Sequence, residues 1–253
     1  MVKEQLVKHG FANYHLDIDC EKKEKEEISA EFNMLALDNY APENVARFRR
    51  YGSALLLPWF NEPEILWIPT IQDENGNHLS GYDQGNNNPE HGNMRYFHSL
   101  SKNIKNNHFL KKIIINNFND TFNLKTHYLP IYIGVHFIKI ECSDNTKPGI
   151  SSPNCFHQDG EPFTFAHLIS RKENTAGGIN FIGKVSAKNK RLEEVDKQEI
   201  LNEFTLHEFL DSFAVCDEAV SHYVSPIYKI KDSNGKAERC IILIDYSKTK
   251  QDI

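Results

Sequence analysis

In the stretch FHQDGEP a histidine and an aspartate, His157 and Asp159, stand two positions apart. In a strand alternate residues share one face, so these two side chains point the same way and can grip one metal ion. A facial triad for non-haem iron takes two imidazoles and one carboxylate and leaves three coordination positions open. The stretch SHYVSP, predicted as a strand, supplies His222 as the third ligand.

A His-x-Asp pair alone is weak evidence, because the chain carries 12 histidines. Arg239 supplies context. It opens the strand RCIILIDYS, whose alternation places it on the face of Ile241 and Leu243. A guanidinium beginning an otherwise apolar strand needs a counter-anion, since an unpaired buried charge is costly. Its planar fork matches a carboxylate.

The elements that must position these groups are legible in outline. Residues 3–9 and about 21–37 read as helices, the second with Ile28, Phe32 and Leu35 at three- and four-residue intervals and Asp17 or Asp19 as its cap. The run DCEKKEKEE suits a solvated helix face. Between about 70 and 93, Asn, Gly and Asp predict a hairpin and a long loop, which is a candidate lid. Its DENGN opening resembles a calcium loop, but position twelve counted from Asp73 is Gln84 in place of a bidentate Glu. From about 125 onward short β-rich segments dominate, interrupted by one helical insertion near 191–212. Many short strands with little helix between them predict a mainly β double sheet, a jelly roll, with flanking helices. One domain is expected over 1–253, with a helical N-terminal extension over 1–40 and the jelly-roll core over about 125–250.

Composition narrows the function. The 253 residues are 40% hydrophobic and 25% charged, as in ordinary globular proteins. No apolar run is long enough to span a membrane, and the first ten residues lack a secretory signal, which predicts a cytoplasmic protein. The five cysteines form no CxxC pair and are expected to be reduced. With 29 Lys and Arg against 35 Asp and Glu, the charge of −6 disfavours nucleic acid as a partner. Gly177 and Gly178 suit a turn, and no glycine-rich loop opens a helix to hold a nucleotide.

The order of His-x-Asp, a distant His and an Arg on the next strand resembles the iron(II)- and 2-oxoglutarate-dependent dioxygenases. IGVHFIKIE, SSPNCFHQDGEPFTFAHLI, NTAGGINFIG and SHYVSPI are similar to the branch containing bacterial free L-amino-acid hydroxylases, such as the isoleucine 4-hydroxylases. The resemblance covers roughly residues 45–248. It implies Fe(II) held by His157, Asp159 and His222, 2-oxoglutarate held at its distal carboxylate by Arg239, and O2 as the oxidant. It further implies hydroxylation, or sulfoxidation, of a small-molecule amino acid with release of succinate and carbon dioxide.

A free amino acid presents a carboxylate and an ammonium. Glu161, two residues beyond Asp159 and expected on the same strand face, is the candidate for the ammonium. Arg95, in GNMRYFHSL, is the candidate for the carboxylate in preference to Arg47, Arg49 or Arg50, because the resemblance includes a similar arginine followed by an aromatic. The bland alternatives are a turn cap for Glu161 and a surface ion pair for Arg95. His136 is a candidate donor toward the cosubstrate, and His167 a candidate pocket residue, each against the alternative of a satisfied core histidine. Trp59, Phe60, Tyr96 and Phe97 could line a pocket or fill a core. Two other functions remain open at this stage: hydroxylation of a peptide or protein side chain, which needs an open groove, and a non-catalytic cupin-like protein that binds a metal or small anion.

Overall fold

The computed structural model describes residues 1–248 apart from 61, 85–86, 92–93, 123 and 125–128. The chain opens with α1 (Val2–His9), β1 (Phe11–His15), α2 (Lys22–Asn33), β2 (Ala36–Leu37) and β3 (Ala46–Leu57). There follow β4 (Glu64–Trp67), β5 (Ile71–Gln72), β6 (His78–Tyr82), β7 (Arg95–His98), α3 (Lys102–Lys105) and α4 (His108–Asp120). Next come β8 (Ile131–Cys142), β9 (Phe163–Arg171), β10 (Thr175–Gly177), β11 (Ile179–Gly183) and β12 (Ile200–Thr205). The last four are β13 (Asp211–Cys216), β14 (Ser221–Val224), β15 (Ile227–Lys229) and β16 (Ala237–Ser247).

The main antiparallel sheet runs β1-β13-β9-β16-β8-β3-β2, with β4 also paired to β3. Alternation along its strands sorts two faces. Val135 and Phe137 of β8, Ile242 and Ile244 of β16, and Phe165 of β9 join one core with Ile28 and Phe32 of α2 and Phe109 and Ile113 of α4. Burying each such side chain is worth about 1.5–3 kcal/mol, which holds the helices on this face. The alternate residues, including Arg47, Arg49, Ile138, Ile140, Ala166, Arg239, Ile241 and Leu243, face a pocket. A second sheet, β12-β11-β14, covers that pocket, with Ile182 and Phe204 packed against Ala166, Phe213 and Ile241. Two sheets around a pocket with helices outside make the jelly roll that the strand pattern predicts. Among the described residues no helix is long and apolar enough to cross a membrane.

Several elements differ from the sequence reading. The N-terminal segment is not only helical: after α1, Gly10 turns the chain and β1 joins the edge of the main sheet against β13. The helix α2 ends at Asn33, and its cap is Glu21, whose backbone N–H donates to Glu24 Oε2 at 2.9 Å. No helix forms near 191–212. Two short 3-10 turns place Leu192 and Val195 against Phe156 and Phe181, and β12 then pairs with β11. Backbone pairing decides the outcome, since without residues 200–205 one side of β11 would keep unpaired N–H and C=O groups. The DENGN segment closes the β5–β6 hairpin: Asp73 Oδ1 accepts from the amides of Asn75 and Asn77, and Oδ2 from Asn77 Nδ2. The candidate lid falls partly outside the described residues, at 85–86 and 92–93.

Candidate metal centre

His157 and His222 come from distant parts of the chain and are joined by their backbones. The N–H of each donates to the carbonyl of the other at 2.9 Å, an isolated bridge outside any long strand for His157. Their rings lie 4.2 Å apart, at 65°. The expectation that His157, Asp159 and Glu161 share one strand face is corrected here. Residues 158–162 form an irregular bend, and β9 begins only at Phe163.

Asp217 holds that bend. Its Oδ1 accepts the Asp159 N–H at 2.9 Å and its Oδ2 the Gly160 N–H at 2.7 Å. Gly160 sits at φ +86°, a left-handed conformation that costs glycine little. The Asp159 carboxylate is thereby aimed between the imidazoles: Oδ1 lies 3.6 Å from His157 Nε2, and Oδ2 3.5 Å from His222 Nε2. One ligand atom from each of the three residues lies within 4.8 Å of the others.

The hydrogen bonds behind these atoms suit a cation in front of them. His157 Nδ1 donates to the Cys155 carbonyl at 2.9 Å, which leaves its Nε2 lone pair facing the carboxylate. Burial, and then the neighbouring His157, push His222 down to about 4, so it is neutral as a metal ligand must be. Asp159 Oδ1 accepts from Gln84 Nε2 at 3.2 Å and Oδ2 from Thr164 Oγ1 at 3.0 Å. The His157 Nε2 lone pair and the carboxylate repel unless a cation lies between them, and His222 Nδ1 has no partner among the described residues. The donor set of two nitrogens and one carboxylate fits iron(II) in a facial triad.

Arg239 lines the same pocket as His157 and His222. It is buried, and Nη2 donates to Asn180 Oδ1 at 3.3 Å, while Nε has no partner. Among the described residues no carboxylate pairs with it. Burial, and then the charge of Arg171, push its pKa down. Gly178 passes so close that an added Cβ would lie 3.4 Å from Arg239 Cδ and 2.9 Å from Arg171 Nη1.

Of the remaining candidates, Arg47 and Arg49 line the pocket that holds His157, His222 and Arg239, whereas Arg95, Glu161 and His136 do not. Arg95, the first residue of β7, is buried, so it is no surface ion pair; its Nη2 donates to Gln84 Oε1 and its Nη1 has no partner. Arg49 lies 4.4 Å over the Phe97 ring and Arg95 5.6 Å over the same ring; the two also flank Tyr82. Arg47 is paired with Asp38 at 2.6 Å and Arg50 with Glu31 at 3.0 Å. Arg49 and Arg95 keep no carboxylate partner among the described residues. Glu161 is buried, its Oε2 unpaired, and burial followed by the charge of Asp245 push its carboxyl up to about 9.

His136 does not present a free nitrogen to a cosubstrate. Nδ1 accepts from Arg49 Nη2 and Nε2 donates to Asp245 Oδ2 at 3.0 Å, a chain across β3, β8 and β16. His167 lies on the opposite, helix-covered face, where it meets Asn117 Nδ2 of α4 at 2.9 Å and Ser212 Oγ at 2.8 Å. It is a satisfied core histidine. Trp59, Phe60 and Tyr96 are exposed, whereas Phe97 is buried beneath the two arginines.

A family model described as 2OG-Fe dioxygenase matches residues 29–245. The chain belongs to the 2OG-Fe dioxygenase family. Enzymes of this family use Fe(II), 2-oxoglutarate and O2, and the His-Asp-His cluster provides this dioxygenase with ligands suited to the iron. Its fold is similar to that of IDO from Bacillus thuringiensis, at 18% identity and TM-score 0.69 over 98% of both chains. It is similar to a bsmA homolog from Methylobium petroleophilum PM1, at 16% identity and TM-score 0.74, over 100% of this chain and 94% of the other. The Fe(II)/(alpha)ketoglutarate-dependent dioxygenase TqaL aligns at 12% identity and TM-score 0.71, over 98% and 87%. No curated protein matches the dioxygenase chain at a significant level.

The sequence reading missed Asp217 and the role of Gln84, and it set Arg49 aside in favour of Arg95. Nothing in VCDEAV marks Asp217, because its role is to bind backbone amides far away in the chain. Arg49 was recognisable only through the β3 alternation, which sends Arg47, Arg49 and Tyr51 to one face and Arg50 to the other.

Proposed function

We propose that this dioxygenase hydroxylates, or oxidises at sulfur, a free L-amino acid. His157, Asp159 and His222 would hold Fe(II), and Arg239 would hold the distal carboxylate of 2-oxoglutarate. When bound, iron with 2-oxoglutarate and O2 supplies the oxidising chemistry, and cosubstrate decarboxylation yields succinate and carbon dioxide. The chain's own contribution is positioning and exclusion of water. Arg239 has a free Nε and a second nitrogen anchored on Asn180, so an incoming carboxylate provides its missing counter-charge. Phe213, Ile182, Ile241 and Leu243 make the adjoining walls apolar.

The observation that carries the amino-acid reading is a set of buried polar groups without a partner of opposite charge. Arg49 and Arg95 are guanidiniums without a carboxylate, and Glu161 is a carboxyl without a cation. A zwitterion answers both deficits: its carboxylate would meet Arg95, with Arg49 beside it, and its ammonium would donate a hydrogen bond to the unpaired Oε2 of Glu161. Aerobic incubation with Fe(II), 2-oxoglutarate and pooled free amino acids tests the reading by mass spectrometry. One amino acid should gain a single oxygen with matching succinate. Absence of any such product, with oxygen gained instead by a peptide, would contradict it.

A further inference from the structure

Gln84 lies where the unpaired arginines and the metal-facing carboxylate meet. Its side chain is buried, immediately after β6. Nε2 donates to Asp159 Oδ1 at 3.2 Å, and Oε1 accepts from Asn88 Nδ2 at 3.0 Å and from Arg95 Nη2. These partners fix the amide in one orientation. Turned over, it would set its oxygen against a carboxylate and its N–H groups against two donors.

The result is a continuous hydrogen-bonded chain. It starts at the Arg95 guanidinium, which rests against the Tyr82 and Phe97 rings and keeps Nη1 unpaired, and it ends on the Asp159 oxygen 3.6 Å from His157 Nε2. Arg95 therefore has donors for an anion as well as a bond to Gln84.

We propose that Gln84 is a positioning residue that transmits occupancy of Arg95 by the substrate carboxylate to the iron-binding carboxylate of Asp159. This rests on the reading of Asp159 and Arg95 given above. A carboxylate takes charge-assisted hydrogen bonds from a guanidinium that are roughly twice as strong as neutral ones. Arg95 then gives less to Gln84 Oε1. Because bonds in a chain polarise one another, the Gln84 N–H donates less strongly to Asp159, and the carboxylate becomes a stronger electron donor toward the metal. No bond is made or broken covalently, and no proton leaves Gln84. The bond from Gln84 to Asp159 thus changes when substrate reaches Arg95, and binding of 2-oxoglutarate at Arg239 leaves it as it was.

The test is the charge-transfer absorption of the anaerobic Fe(II)–2-oxoglutarate complex, read with and without the amino acid that gains oxygen, together with the ratio of succinate to hydroxylated product. In the wild type the band should move when the amino acid is added. Gln84→Met, similar in length, with no donor and only a weak acceptor, should bind Fe(II) and 2-oxoglutarate within about threefold of wild type. It should lose the movement of the band and raise the succinate-to-product ratio at least threefold. Asn88→Ala removes only the second donor at Oε1 and should raise the ratio less, with iron affinity unchanged. A Gln84→Met enzyme with the wild-type band movement and ratio would overturn the proposal. If that variant fails to hold iron, Asn88→Ala decides: a raised ratio supports the coupling and an unchanged one overturns it. Hydroxylation by a wild type whose band does not respond overturns the coupling alone, whereas a wild type that hydroxylates no amino acid removes the substrate reading and the coupling with it.

Discussion

His157 and His222 exchange two backbone hydrogen bonds, each 2.9 Å long, so the two imidazoles are set by main-chain pairing before any metal arrives. The carboxylate between them is set differently, by the grip of Asp217 on two amides of an irregular bend. The centre therefore has a half set by main-chain pairing and a half held by side chains, Asp217 on the backbone and Gln84 and Thr164 on the carboxylate.

That dependence gives the first expectation. Asp217→Ala should weaken Fe(II) binding about 10–100-fold, the usual cost of losing a group that orients a ligand. Competition with a coloured chelator measures it, with circular dichroism confirming the fold. Unchanged iron affinity in a folded variant would show that Asp159 holds its place without Asp217.

Arg239 makes the second. Arg239→Leu should raise the 2-oxoglutarate requirement about 30-fold or more, as removal of one partner from a buried charge pair costs about 2–5 kcal/mol, and leave iron affinity within about threefold. It should also raise the melting temperature of the protein lacking cosubstrate, because a buried guanidinium without a carboxylate is itself destabilising. Equal loss of iron and 2-oxoglutarate binding would assign Arg239 to the fold.

How far the sequence reached follows from what kind of contact each residue makes. Arg239 was legible because a strand of strict alternation fixes its face, and the triad because its residue types are chemically distinctive. The bend at 158–162 hid its geometry, since Gly160 breaks the alternation that the expected strand assumed. The segment 191–212 misled because charged residues around Leu192 and Val195 mimic a helix, while the pairing of residues 200–205 with β11 is a non-local demand. The helix α4 and the partners of Arg49 and Gln84 depend likewise on segments brought together only by folding.

A pH dependence follows from His167. Burial pushes it down to about 3 from its ordinary 6.5. Between these values the unfolded chain binds a proton that the folded chain refuses, so stability falls as pH drops through that window. By pH 4 the loss from this residue is on the order of 3 kcal/mol. In urea unfolding between pH 7 and pH 4, His167→Gln should lose less stability than wild type; parallel losses would contradict the assignment.

If the proposed amino-acid reading holds, Arg95→Met should raise KM for the amino acid about 30-fold or more while the Fe(II)–2-oxoglutarate absorption still forms at wild-type intensity. Loss of that absorption with unchanged KM would place Arg95 with the cosubstrate instead.

The most direct measurement is anaerobic addition of Fe(II) and then 2-oxoglutarate to the wild type and to His157→Ala, Asp159→Ala and His222→Ala. A visible metal-to-ligand charge-transfer band should appear in the wild type and be lost in each variant that remains folded. A wild type without the band, or folded variants that keep it, would contradict the assignment of these three residues to the iron.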